Sequence, residues 1–426
     1  MDKKHNKHIF QKIKKRTLVS GVKRAVSLVL CFALVLTAMP IIEIKDDGGI
    51  VVKFGLIDAT EKVANAASSE YSPTLRGSAA SVTLTSYNDI LAYAQGGTWT
   101  VGGTSYSGYD PGDTVTLDLS DAQTIDSSFL GIGTSSNPFS GTLIIAGGAN
   151  GIGGDSAFLT YKASLFNYIS ESTTILDDSN NPCYIKLTSG SSSLPLFADH
   201  VIGDGNSSTK AEWKFYISGS NVTSGGIIGT IGTSDSSKAA CVSATVKDGT
   251  SGCTVSSSEN AGVICRTLEV NSSLDLTIEA GTSSETTPTL KQTSISTTAA
   301  NSHAGGLIGE MKTGSALTLK SNLSFASART ISAKGGVAYA GGLVGKCCGT
   351  VDLKETNEDP NTGETTITYY PYTDIYTSVI NGSTTGGAGG AFGYYEATGE
   401  AAFDLENEYK ITAVKLGGKK LRWFYR

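Results

Sequence analysis

Proline is scarce, with 9 in 426 residues, and histidine, methionine and tryptophan number only 4, 3 and 3. Charged residues make up 17% of the chain. Each scarcity excludes something. With so little proline and no regular glycine period, a collagen-like chain is ruled out. Too few charged helix formers are present for a coiled coil or helical bundle. No CxxC pair accompanies the few histidines, so a zinc site is not expected. What is abundant is glycine, 51 residues, among many serines and threonines, with 39% hydrophobic residues. That hydrophobic content excludes a disordered chain, and the glycine favours an all-β, turn-rich protein.

The charge is unevenly placed. Nine of the 33 basic residues and one of the 39 acidic ones lie in residues 1–39, which leaves 24 against 38, a net charge of −14, in the remainder. The basic block runs into an apolar segment, Ala25 to Met39, ending at Pro40. This is the charged region and apolar core of an export signal. About 20 apolar residues are needed to span a bilayer, more than this segment has, so a retained anchor over residues 25–42 is the second reading. Export places residues 40–80 as a linker and the protein at or outside the cell surface, with membrane or cell-wall association open. The acidic remainder excludes nucleic acid as a partner, because phosphate binding needs a clustered basic surface.

Cys31 lies in the apolar segment, leaving Cys183, Cys241, Cys253, Cys265, Cys347 and Cys348. Six cysteines in an exported chain admit one or two disulfides. A chain this long has core enough without them, and small buried thiols are the preferred reading.

Self-comparison reveals the main pattern. GGIIG begins at Gly225, a degenerate AGVIC at Ala261, GGLIG at Gly305, GGLVG at Gly341 and GGAFG at Gly389. The spacing of these starts is long and uneven, in the range that belongs to solenoids and propellers. After each glycine unit come alternating apolar positions: Val242, Ala244, Val246; then Leu274, Leu276, Ile278; Leu317, Leu319; Val351, Leu353; and Phe403, Leu405. Short alternating strands with variable turns predict a parallel β-helix over residues 81–418, with a propeller second because its blade signatures are missing. The glycines are expected at corners, where positive φ or close backbone approach is needed. Some 15 coils at about 4.8 Å would give a rod of roughly 70 Å. Upstream, Ser86 with Asp89 three residues on, an apolar face of Ile90, Leu91 and Tyr93, and Gly96-Gly97 predict a short helix over 86–95 capping the solenoid edge.

The stretch FLGIGTSSNPFSGTLIIAGG, Phe129 to Gly148, together with the GG-apolar-apolar-G units, resembles bacterial surface proteins with GLUG-type repeats, often described as adhesin-like. The resemblance covers residues 80–418 and implies a right-handed parallel β-helix outside the cell. AGVIC departs from the pattern, and no wall-sorting motif is recognisable. Residues 419–426, KKLRWFYR, form an atypical basic and aromatic tail with no visible cap, which reads as truncation or as a membrane-surface segment.

Catalytic constellations are not recognisable. His200 and His303 sit beside no nucleophile motif, and there is no GxSxG elbow. Gly341 to Lys346 fails as a phosphate loop, since Ala340 and Cys347 occupy its first glycine and its Ser/Thr positions. Gly147 to Asp155 fails as a calcium nonapeptide at Asn150 and Ile152. No cofactor or metal is expected. The expected function is adhesin-like binding or a structural role. Its alternative is a polysaccharide lyase or glycoside hydrolase on the same scaffold, with Asp177, Asp178 and Arg266 as the weak candidates. The binding candidates are Tyr369, Tyr370, Tyr372 and Tyr376, in the longest segment between repeats, whose aromatic rings with polar tips suit surface glycans or proteins. The plainer reading of that segment is a β-hairpin with aromatic pairs.

Overall fold

The computed structural model describes residues 72–352 apart from 120, 147–158, 190–192, 205–209, 220–221, 251, 282–287 and 326–328; beyond these it describes residues 386–396 and several strand backbones. The chain divides into two units, Met1–Glu70 and Tyr71–Arg426, so the boundary falls inside the expected linker. In the first unit, Pro40–Ile44 pairs antiparallel with Ile50–Phe54. The expected signal at 1–39 lies outside the described residues. Among the described residues no helix is long and apolar enough to cross a membrane.

The second unit is a parallel β-helix. Seven parallel strands make one sheet: Phe166–Ser170, Ala198–Ile202, Ile228–Ile231, Cys265–Leu268, Ile308–Met311, Val344–Cys347 and Phe392–Tyr395. Five of them leave a glycine unit, so this is the glycine-motif sheet. A second sheet stacks eight strands, from Gln123–Ile125 to Thr350–Asp352. The third carries Cys253–Ser257, Gln292–Thr297, Thr330–Ala333 and Thr373–Asn381. From Ala198 onward each turn visits the sheets in that order.

Alternation sets which side chains are inside. On the second sheet Val242, Leu274, Leu317 and Val351 share one rung column, Ala244, Leu276 and Leu319 the next, and Val246 and Ile278 a third. All are buried, in the columns that the period-2 pattern indicates. Leu353, Phe403 and Leu405 lie outside the described residues. Size compensates across rungs: Trp213 stands opposite Ala244. Phe139, Phe166, Phe197 and Phe215 stack inside with centroids 4.9–5.4 Å apart. Phe139 comes from the NPFSGT stretch, which bridges to Ile169 as an early coil.

Three expectations are corrected. Ala198, Ile228, Cys265, Ile308, Val344 and Phe392 occupy one register position on successive rungs, so each turn consumes a whole repeat. The eight-stranded second sheet therefore stacks to about 34 Å, half the expected rod.

The second correction concerns the glycines. Among the glycines of the repeat units only Gly226 has a positive φ, +103°. The others are required by close approach: a Cβ on Gly305 would lie 1.9 Å from the Ile308 oxygen, and one on Gly345 would lie 2.6 Å from the Gly309 oxygen. They form a short extra ladder of Ala304–Gly305, Tyr339–Gly341 and Gly387–Gly389 packed beside the glycine-motif sheet. Lys420–Leu421 adds the next rung, so the ladder extends past residue 418 into the expected tail.

Third, the degenerate unit is one residue out of frame. Cys265 pairs with Ile308 and Ala261 with Ala304, which aligns Gly262-Val263-Ile264-Cys265-Arg266 with GGLIG. Arg266 thus occupies a glycine position.

Helix α1, Tyr87–Ala94, forms as expected. Ser86 Oγ accepts the Asp89 N–H at 3.3 Å, and Asp89 Oδ2 accepts from the N–H and hydroxyl of Thr85, each at 2.9 Å. Gly96, at φ +63°, turns the chain out of the helix. Ile90 and Tyr93 are buried against the first coil.

The six cysteines among the described residues carry no disulfide. Cys183, Cys241, Cys253, Cys265 and Cys347 are free and buried, and Cys348 is half-buried. Burial pushes the Cys253, Cys265 and Cys347 thiols up to about 12. Cys265 and Cys347 take core places in the glycine-motif sheet, Cys347 4.0 Å from the Met311 sulfur.

Candidate ligand-binding faces

The expected tyrosine site falls largely outside the described residues: Tyr370 and Tyr372 are not among them. Tyr369 ends the strand Thr365–Tyr369, which pairs antiparallel with Lys354–Glu358. This is the hairpin of the plainer reading, but Tyr369 stands opposite Lys354 rather than another aromatic. Tyr376 lies in Thr373–Asn381, paired with Thr412.

On the glycine-motif sheet one outward column runs Tyr168, His200, Thr230, Thr267, Glu310, Lys346, Tyr394. It draws together residues that the sequence left apart. The rings of Tyr168 and His200 stack with centroids 4.5 Å apart. Beside them the Arg266 guanidinium, 7% exposed, pairs with Asp199, and with Glu259 at 3.1 Å. The His200 Nε2 stands 3.7 Å from the other Asp199 oxygen. Burial lowers His200, against the pull of Asp199, so its ring is neutral at neutral pH. Gly229 makes this arrangement fit, because a Cβ there would lie 2.5 Å from an Arg266 nitrogen. An arginine at one glycine position is housed over the glycine of the previous turn.

Farther along the column Glu310 is 6% exposed. Its oxygens accept from Lys346 at 2.9 Å, Lys312 at 2.8 Å and Asn260 at 3.0 Å. Burial works to raise its pKa, but the hydrogen bonds from both lysines outweigh it and hold the carboxyl at about 2. Lys346, from the failed phosphate loop, is thereby assigned to an ion pair. His303 is also enclosed; its Nδ1 accepts the Tyr339 N–H at 3.2 Å, and burial pulls it down to about 4. Neither Glu310 nor His303 is poised to trade a proton near neutrality. Among the other sequence candidates, Asp177 Oδ1 accepts the N–H groups of Ser179 and Asn181 at 2.9 and 2.8 Å and so closes a turn. Asp178 accepts the Ser179 hydroxyl at 3.4 Å. The acids and Arg266 are not brought together.

The second sheet carries a different surface that sequence reading missed. Tyr184 pairs across with Lys214, and Lys186 with Tyr216, which pairs in turn with Lys247. Between them Ile185, Leu187, Trp213, Phe215 and Val246 are buried, so the tyrosines and lysines project outward, each half-buried. The result is a checkerboard of tyrosine and lysine over two rungs, which Lys247 extends to a third beside Thr245. Lys247 Nζ lies 4.5 Å from the Tyr184 ring centroid and Lys214 Nζ 5.8 Å from it. Glu279, 42% exposed at its side chain, takes Lys247 at 2.8 Å and the Tyr184 hydroxyl at 2.7 Å. The alternation of tyrosine and lysine in Tyr184-Ile185-Lys186 and Lys214-Phe215-Tyr216 was the available signal; the register that combines them was not.

No family model, no curated protein and no solved structure matches this chain.

Proposed function

We propose that this chain is an exported cell-surface module, adhesin-like, that binds through the outer face of its parallel β-helix. The observation that carries the reading is the tyrosine and lysine checkerboard. Three strands locked in register hold amphipathic side chains outward on a rigid surface, and rigidity lowers the ordering cost of binding. The saturated groups on the glycine-motif sheet support it from the other side. Glu310 and Arg266 spend their charge on neighbours, which suits a scaffold. Tyr369, Tyr370, Tyr372 and Tyr376 remain a second contact region in this reading.

Binding of the purified chain to arrays of surface glycans and proteins tests the proposal, together with fractionation of expressing cells. Saturable binding and recovery outside the cytoplasm are expected. Retention in the cytoplasm, or an array without a single saturable ligand, would sink it. A second reading, a polysaccharide lyase or glycoside hydrolase, draws on the Asp199, His200, Arg266 and Glu259 cluster, which places two carboxylates and a histidine around one guanidinium. Release of oligosaccharides from a polysaccharide panel, abolished by Asp199→Asn, would establish that reading instead.

A further inference from the structure

We infer that the face built by Tyr184, Lys186, Lys214, Tyr216 and Lys247 docks a linear acidic polysaccharide, a polyuronate, with its carboxylates on the lysines and its sugar rings on the tyrosines. The inference rests on the binding reading above and names the ligand class at that site.

Charge comes first. Outside residues 1–39 the chain carries 24 basic and 38 acidic residues, so a cluster of lysines runs against the average. The three arginines among the described residues are committed elsewhere. Arg76 clasps Asp113, Arg266 lies between Asp199 and Glu259, and Arg329 is fully enclosed. Among the described residues the exposed positive charge of this body is therefore mainly lysine. On the second sheet Lys186, Lys214 and Lys247 occupy adjoining outward positions on successive strands. The acids of this face keep to a neighbouring column, Glu212, Asp275 and Asp352, and to Glu279. Asp275 is itself covered by two cations, Lys210 at 2.6 Å and Lys320 at 3.0 Å. That acid is thus screened from the lysines beside it.

Glu279 supplies the second observation. Its carboxylate oxygen sits where Lys247 Nζ and the Tyr184 hydroxyl converge, within 2.8 Å of both. The chain's own carboxylate demonstrates how this lattice grips one: an ammonium and a phenol on a single oxygen, both charge-assisted. A ligand carboxylate farther along the stack meets the same pairing of residue types at Lys186 with Tyr216, with Lys214 beside the Tyr184 ring.

Spacing selects a polymer. Rungs repeat every ~4.8 Å, close to the length of one pyranose residue, so a glycan lying along the stack presents one sugar per rung. The apolar face of a sugar ring fits a tyrosine ring, and each uronate contributes one carboxylate beside it. Gly249 helps to hold the surface. Its missing Cβ, which would lie 2.3 Å from the Tyr216 hydroxyl, leaves the room in which that hydroxyl rests.

The test is affinity electrophoresis and calorimetry of the full chain with polygalacturonate, with the same polymer fully methyl-esterified, and with a single-stranded oligonucleotide. Binding to the acidic polymer is expected, with a loss of about tenfold or more on esterification and again in the triple variant Lys186→Gln, Lys214→Gln, Lys247→Gln. Replacement of outward lysines should lower thermal unfolding only slightly, by the small contribution of the partly exposed Lys247–Glu279 pair. Tyr184→Leu with Tyr216→Leu should weaken the polymer by a similar factor and leave any residual oligonucleotide binding alone. Wild-type affinity in the triple variant overturns the site, and equal affinity for the oligonucleotide overturns the ligand class. A chain that binds other array ligands but no polyuronate overturns this inference and spares the binding reading. A chain that binds nothing overturns both.

Discussion

The guanidinium carbon of Arg329 lies 3.5 Å from the centroid of the Phe325 ring, fully enclosed inside the solenoid. One of its nitrogens donates to the Gly342 oxygen at 3.0 Å, while Nε and Nη1 have no hydrogen-bond partner among the described residues. No carboxylate pairs with it among the described residues. Burial pulls it down to about 9, which still leaves it charged at neutral pH. A buried cation held by one carbonyl and one ring is a net cost. Arg329→Met, which fills the volume without the charge, should stabilise the fold by about 1–4 kcal/mol in urea unfolding. Destabilisation on that substitution would show that the ring contact outweighs desolvation.

At the opposite end of the stack, Asp113 is fully buried and accepts from Arg76 at 2.9 Å, Ala80 N at 2.8 Å, Asp110 N at 3.0 Å and the Tyr93 hydroxyl at 3.1 Å. It ties α1 to the first coils. Asp113→Ala leaves those donors unpaired and should cost about 3–5 kcal/mol, read from the shift in denaturation midpoint. Tyr93→Phe removes one donor and should cost about 1 kcal/mol.

Acid should weaken the fold over two pH windows. His303 is held at about 4 against an ordinary 6.5, and Glu310 at about 2 against 4.5. Both folded values lie below the unfolded ones, so the unfolded chain takes up the protons first and stability falls as the pH drops. The His303 share is lost between about 6.5 and 4 and the Glu310 share between about 4.5 and 2, each on the order of 3 kcal/mol. His303→Asn, which keeps an acceptor for the Tyr339 N–H, should flatten the first stage of a pH series of urea midpoints. Glu310→Gln should flatten the second.

The glycine seam can be tested against a control. A Cβ at Gly345 would press on the backbone at Gly309 O and Ala304 N, 2.6 and 2.7 Å away, whereas one at Gly112 would touch the Ala79 side chain at an ordinary 3.5 Å. Gly345→Ala should cost about 1–3 kcal/mol. Gly112→Ala should stay within about 0.5 kcal/mol of the parent.

The architecture was legible where the pattern is local. Alternation placed Val242, Leu274 and Leu317 inside, and the Ser86 and Asp89 pairing with Gly96 bounded α1, because each depends on residues a few positions apart. Register across turns is a different quantity. It placed Cys265, rather than Ile264, beside Ile308, and so put Arg266 in a glycine's place, which letter matching at Ala261 concealed. The binding candidates drawn from the tyrosine-rich segment relied on composition. The lysine and tyrosine checkerboard instead arises from three strands on successive turns, beginning at Tyr184, Ala211 and Cys241, with no shared motif to connect them. Only the stacking of the backbone brings those side chains together.

The in-register intervals are unequal, shortest from Ala198 to Ile228 and longest from Val344 to Phe392, while the rungs stay aligned. Much of the extra length falls between the second and third sheets, from Glu279 to Thr289 and from Asp352 to Thr373. Length is therefore decoupled from phase. A peptide grafted into either segment adds to one side of the stack without displacing a core residue, at a closure cost that grows only with the logarithm of its size. The same property makes the first of these segments the natural place for epitopes, tags or fluorescent labels, and both of them places where related chains could diverge while keeping every rung in step.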